Sequence, residues 1–412
     1  MKKLLMLFVV STFAMLTAHG LYAKTSSTTS PADGKALAGD TSFRKAMEDY
    51  ARQYPNLRLI DDKCPHDYKL VQLALLLDTS NSMDGLIGQA KSQLWRIVNE
   101  LARAHKDGKD ILLEVALYEY GNNDLSPMSG YIRQVTPFTR DLDRISEALF
   151  TLDTNGGSEY CGHVIGSSLN RLRWNTSGEG LKMIFIAGNE PFSQGSVNYE
   201  VACRWAAERD IVVNTIYCGD YRTGIATYWQ HGAMLGGGSY FSIDSDRALK
   251  GIATPYDDDL IMLNDRINKT YVPYGKQGQE NLARQAEQDV NAAKQSAAVS
   301  AGRVATKGSK LYKASDWDLV DALEDKQVSV DKLEKKYLPE ELQEMTDEEL
   351  NTYVKKKKRE RDEVKQQIAE LGRKRDAYIL KKEKEAAGEE TLGSAVLKTL
   401  RTQARAKNFT FE

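Results

Sequence analysis

The chain has 412 residues, more than one hydrophobic core usually organises, and 41% of them are hydrophobic against 28% charged. A formal net charge of −2 excludes any global attraction to nucleic acid or to an anionic membrane surface. Whatever electrostatic function the protein has must therefore be local.

The first residues read as an export signal. Lys2 and Lys3 precede an apolar run from Leu4 to Ala18, and small residues follow at Gly20 and Ala23, the plan of a signal peptide over 1–23. The run is short of the roughly 20 apolar residues that span a bilayer, and no later segment is apolar enough to do so. The expected location is the periplasm, cell envelope or exterior, with no transmembrane segment left after signal removal. Residues 24–60 read as a Ser/Thr/Gly/Ala-rich flexible leader with a short helix. Export makes an even set of 4 cysteines, Cys64, Cys161, Cys203 and Cys218, a disulfide candidate. None of them forms a CxxC pair, which argues against zinc.

From 61 to 256, runs of strand length alternate with helical patterns. "YKLVQLALLLD" is a buried strand, and Ile87, Ala90, Leu94, Ile97, Val98 and Leu101 recur at helical spacing, predicting a helix over 86–104. "ILLEVALYEYG" and "YIRQVTPF" follow as strands, then helices near 141–152 and 162–174. "LKMIFIAG", "IVVNTIYCG" and "SYFSID" complete the strands, with the helix "NYEVACRWAAERD" between the first two of these. Continuous apolar strands separated by helices imply an α/β fold, a doubly wound, mostly parallel, Rossmann-like sheet. Cys161 and Cys218 would then fall near one end of the sheet, which makes them the favoured pair among three full pairings.

Ligands of such sheets gather outside the carboxyl ends of the strands. Asp78 closes the first strand, and Ser80 and Ser82 follow at alternate positions. One carboxylate and two hydroxyls on a tight turn can converge on a hard cation such as Mg2+ or Mn2+. Equally, Asp78, Thr79 and Ser80 are residues that cap helices.

Asp78-Thr79-Ser80-Asn81-Ser82, after a hydrophobic strand and before an amphipathic helix, resembles the DxSxS signature of the von Willebrand factor A (VWA) domain, of an exported bacterial type. The resemblance covers 61–256 and implies a metal-ion-dependent adhesion site (MIDAS) that holds Mg2+ or Mn2+. "DTNGGSEYCGHVIGSSL" is similar to the family's Gly-Gly-Thr loop, with Ser158 standing for the threonine, although a glycine turn capped by Ser158 or Asn155 reads the same. A third element departs from the pattern. Where the family carries Thr-Asp-Gly, this chain has Ala187-Gly188-Asn189, so the aspartate position is Gly188 and the site is degenerate. Three outcomes follow: a weak site helped by Asn189 or Glu190, a site completed by a partner's carboxylate, or a fold that has lost its metal. Tyr160, Phe192 and the loop residues Asn122, Asn123 and Asp124 would form a partner-binding rim at the same end, although Tyr160 and Phe192 read equally as packing residues.

Past 256 the texture changes. Leu260, Leu263, Ile267 and Tyr271 mark a helix, and the rest of 257–310 is Gln/Ala-rich, a solvated helix or a linker. Trp317, Leu319, Val320 and Leu323 could seed a small packed element. Residues 311–412 form a charged helical tail, in which Val364, Ile368, Leu371 and Tyr378 have the spacing of a coiled-coil seam able to make a homodimer. The competing readings are a salt-bridged solvated helix and contact with an anionic envelope surface.

His163 and His231 lack a nucleophile with an orienting group, and the glycine run at 231–244 precedes a strand instead of opening a helix, so no enzyme is expected. The expected function is an exported VWA-domain binding protein recognising a protein or other envelope ligand. The alternative is a non-catalytic envelope scaffold whose tail mediates assembly and whose VWA site is metal-free.

Overall fold

The first strand, β1 (Leu70–Asp78), is buried along its whole length. In this computed structural model the described residues are 66–243, 252–385 and 392–411. The expected signal peptide, the leader and Cys64 lie outside them. Val71, Leu73, Leu75 and Leu77 of β1 enter one core while Ala74 and Leu76 enter another, as the alternation of a strand requires. By the same alternation Asp78 continues the row of Ala74 and Leu76.

Helix α1 (Asp84–Leu101) packs Leu94, Trp95, Val98 and Leu101 into the first core. A hairpin follows, β2 (Ala104–Lys106) and β3 (Lys109–Asp110), turning through Asp107 and Gly108, both at positive φ. That Asp-Gly pair is what a primed two-residue turn demands. Next come β4 (Leu112–Tyr120), β5 (Ile132–Thr139), α2 (Leu142–Phe150) and α3 (Cys161–Arg171). The second half comprises β6 (Leu181–Gly188), α4 (Tyr199–Glu208), β7 (Val212–Cys218), α5 (Tyr221–Ala226), α6 (Trp229–Leu235) and β8 (Gly237–Ile243).

The main sheet has six strands in the order β5-β4-β1-β6-β7-β8. Only β5 runs antiparallel to its neighbour; the other pairings are parallel. The chain leaves β1 toward β4 and returns to β1's other side with β6, so the winding reverses at β1. Asp78 is thereby placed at the switch point, where this architecture opens a crevice.

The C-terminal third does not stand apart. Helices α7 (Asp257–Asn268), α8 (Gly278–Gln295) and α9 (Ala297–Lys307) add Leu260, Ile267, Val299 and Val304 to the first core. The expected solvated helix or linker is thus a packed layer, and its polar residues satisfy one another inside it. Gln285 donates to the Tyr312 hydroxyl and Gln288 accepts from Ser146. Buried Arg303 pairs with Asp143 and Asp289, each at 2.6 Å.

Helix α10 (Leu319–Glu324), the short α11 (Glu340–Gln343) and the long α12 (Asp347–Glu385) follow. Leu319 and Val320 seed a small separate core with Leu342, Leu350 and Val354, the packed element read from the sequence. Arg361 of α12 is buried against Asp318 and Asp321 at 2.6 and 2.7 Å. Helix α13 (Leu392–Ala406) contributes Val396 and Leu400 to the first core, and β9 (Phe409–Phe411) pairs with β2.

Two expectations are corrected here. Val364 and Ile368 of the coiled-coil seam lie in the first core, with Leu371 packed against it, so the seam contacts α7 and α9 of its own chain and is not free for a homodimer. The favoured Cys161–Cys218 disulfide is not formed, and Cys161, Cys203 and Cys218 are free and buried. The sheet itself separates the favoured pair, since Cys161 sits in the second core and Cys218 in the first. Among the described residues no helix is long and apolar enough to cross a membrane.

Candidate functional site

Three strand ends lie side by side at the switch point. Asp78 is in register with Tyr120 of β4, and Leu77 with Ala187 of β6, which sets Gly188 beside Asp78. The loops after these strands interlock through their backbones. Thr79 donates to the Tyr120 carbonyl at 2.8 Å, Asn155 donates to Thr79 at 2.9 Å, and Asn81 donates to Gly156 at 3.1 Å. Gly121 and Ser158 form an isolated antiparallel bridge. The DxSxS turn, the "GNND" loop and the "NGGS" loop therefore meet, as the sequence predicted.

Asp78 is 0% exposed and Ser80 1%. One carboxylate oxygen, Oδ1, accepts the Ser80 backbone N–H at 2.7 Å, folding the turn back on itself. The other, Oδ2, is buried and has no hydrogen-bond partner. Ser158 is half-buried at the bridge, and Ser82 lies in the single 3-10 turn Asn81–Met83, its side chain outside the described set.

The group that sequence reasoning missed is Glu159. It directly follows Ser158, is 2% exposed, and its carboxyl reaches hydrogen-bonding range of both Asp78 and Ser80. Its position is fixed from two sides: its N–H donates to Gln194 Oε1 at 2.9 Å, and its Oε2 accepts the Glu190 N–H at 3.3 Å. Gly121, at φ 83°, makes the approach sterically feasible, because a Cβ there would lie 2.6 Å from Asp78 Oδ1 and 2.8 Å from Glu159 Cγ. An acid immediately after the expected hydroxyl ligand was the available signal.

Both carboxyls are pushed up, burial being the largest cause for each. Burial, then the Glu159 carboxyl, push the Asp78 carboxyl well above the usual range. Burial pushes Glu159 up too, opposed by hydrogen bonds from Asp78 and Ser80 and reinforced by the charge of Glu190. Such a pair keeps a proton between its members or holds a cation. The donor set, two carboxyls and a serine hydroxyl with one orphaned oxygen, fits a hard divalent ion. Among the described residues no cluster of three His, Cys, Asp or Glu side chains is able to hold a metal, so serine oxygens or water would complete the shell.

The expected rim separates into surface and interior. Asn123 and Asp124 are exposed beside the site, with Asp124 accepting from Asn155 at 2.8 Å. Asn122 is buried and donates to the Asp153 carbonyl at 3.0 Å, so it holds the loop instead of meeting a partner. Phe192 leaves the rim for the packing alternative: it is 0% exposed, packed edge-on to Trp229 and Tyr199. Tyr160 is half-buried against Tyr131, at 6.0 Å between rings. Asn189 and Glu190 are half-buried at the end of β6; the Glu190 backbone serves Glu159 while its carbonyl accepts the Trp229 indole N–H at 2.8 Å.

No family model matches the chain, and no curated protein matches it. Among solved structures it resembles the conserved hypothetical protein BatB from Bacteroides thetaiotaomicron, at 18% identity and a TM-score of 0.32, over 42% of this chain and 90% of that one. It resembles the SpRpn10 VWA domain at 15% identity and a TM-score of 0.33, over 45% of this chain and 100% of that one. A third likeness is to proximal thread matrix protein 1 from the mussel byssus, solved with a zinc-occupied MIDAS motif, at 12% identity and a TM-score of 0.32 over 46% of this chain and 44% of that one. The chain's own sheet has six strands wound in both directions from β1, with the Asp78–Ser82 turn at the switch point.

Proposed function

We propose that the protein is an exported, non-catalytic VWA-type binding protein. In this reading Asp78, Ser80, Ser82 and Ser158 hold Mg2+ or Mn2+ at the head of the sheet. The bound ion would supply an electron-poor centre able to accept an oxygen from a protein or other envelope ligand. Asp78 gives the charge, the Ser80 backbone orients it, and the interlocked loops keep the turn rigid. One observation carries the proposal: Asp78 Oδ2 is buried and unpartnered at the carboxyl end of β1, beside Gly188. An orphaned carboxylate oxygen costs several kcal/mol unless a cation or proton takes it.

The surface near this end suits recognition. Asn123 and Asp124 are exposed beside the site, and Met128, at 98% exposure, tips the same loop. A scaffold assembling through the tail has less support, because the apolar seam of α12 is spent on the chain's own core.

The test is titration calorimetry of the full chain with Mg2+ and Mn2+, beside the Asp78→Ala variant. Heat of binding is expected from the wild type and not from the variant. No heat up to millimolar metal would leave a metal-free sheet and discard the reading.

A further inference from the structure

The geometry points to Glu159 as the second carboxylate ligand of the cation site, in place of the aspartate that Gly188 lacks. This inference rests on the cation reading above and deepens it by naming a ligand that no motif in the sequence assigns. The charge missing at position 188 has moved to another loop.

Position 188 has no room for it. A Cβ on Gly188 would lie 2.5 Å from the Tyr120 hydroxyl, 3.1 Å from Asp78 Oδ2 and 3.1 Å from the Trp229 ring. Tyr120 is buried and anchored there by its hydrogen bond to the Ala187 carbonyl at 2.9 Å. Any acid on β6 would have to displace it. Glu159 instead enters from the loop before α3, over Gly121, and reaches the same Asp78 carboxyl from the other side.

Its placement is that of a ligand and not of a surface acid. Glu159 is almost wholly enclosed, its backbone and one carboxylate oxygen are pinned by Gln194 and Glu190, and no lysine or arginine stands among the main influences on it or on Asp78. Among the described residues neither of these enclosed carboxyls is given a basic partner, which leaves the pair without a counter-charge. The independent sign of an ion is the orphaned Asp78 Oδ2, which is fully buried on the Gly188 side of the same carboxyl whose Oδ1 faces Gly121 and Glu159. A divalent cation held by the two carboxyls would balance both charges.

The experiment is Mn2+ binding to the full-length protein, followed by calorimetry and by the electron paramagnetic resonance signal of free Mn2+, for wild type, Glu159→Gln, Glu159→Asp, Glu370→Gln and Asp78→Ala. Glu159→Gln should weaken Mn2+ by about tenfold or more. Glu159→Asp, which keeps the charge on a shorter arm, should fall between it and wild type and serves if the glutamine variant does not fold. Glu370→Gln, at an exposed acid of α12, should bind as wild type does. If wild type and both Glu159 variants bind alike while Asp78→Ala does not, the cation site stands and Glu159 is not its ligand. If wild type takes up no Mn2+, the cation reading and this inference fall together.

Discussion

The Tyr120 hydroxyl lies against Gly188: it donates to the neighbouring Ala187 carbonyl at 2.9 Å and sits 2.5 Å from where a side chain at 188 would begin. The glycine is therefore part of how β4 and β6 close over Asp78. Gly188→Ala should destabilise the protein by about 1–3 kcal/mol through overpacking. Tyr120→Phe removes the clashing oxygen, so the double variant should be more stable than the sum of the single effects predicts. Urea unfolding of the four proteins in this cycle measures the coupling, and strict additivity would show that the two residues do not compete for space.

The seam of α12 makes an intramolecular prediction. Ile368 is fully buried beside Val364, so Ile368→Ala should cost about 2–5 kcal/mol in global stability. Because the contact is within one chain, the loss should not depend on protein concentration. Thermal melts over a hundredfold dilution check this; a melting temperature that falls on dilution of the wild type would restore the seam to an interface between chains.

His163 supplies a pH dependence. Burial, then the nearby Arg171, hold its imidazole below the ordinary 6.5, and it packs against Gly130, whose Cβ would lie 2.2 Å from Nδ1. The unfolded chain then takes up this proton at a higher pH than the folded one. Stability should be complete above the ordinary histidine value and decline as pH falls through it toward the lowered folded value. Denaturant midpoints between about pH 5.5 and 7.5 should show this slope in wild type and a shallower one in His163→Gln.

The thiols offer a direct chemical check. Burial raises Cys161, Cys203 and Cys218 above the usual thiol range, so none should react with a thiol reagent while the protein is folded. All three should react after unfolding without reductant. Recovery of fewer of these three free thiols would mean that one of them is bridged.

How much of this was written in the sequence varies by element. Period and run length fixed the strands β1, β4, β6 and β7, and the Asp-Thr-Ser-Asn-Ser turn marked the end of β1 as the site, because local patterns need no knowledge of what packs against them. The Asp107-Gly108 hairpin was not read from the sequence, and its partner, β9, comes from the far end of the chain, a pairing that no local pattern predicts.

The sequence by itself determined the doubly wound class and the place of Asp78 at the carboxyl end of its first strand. Only the tertiary structure decided that Tyr120 fills the space beside Gly188, that Glu159 meets Asp78 from another loop, and that the charged tail completes the core under the sheet. The reason is physical. Hydrophobic period is a property of neighbours along the chain, whereas close approach between side chains depends on which strands and loops are brought together, and spacing along the chain does not carry that information.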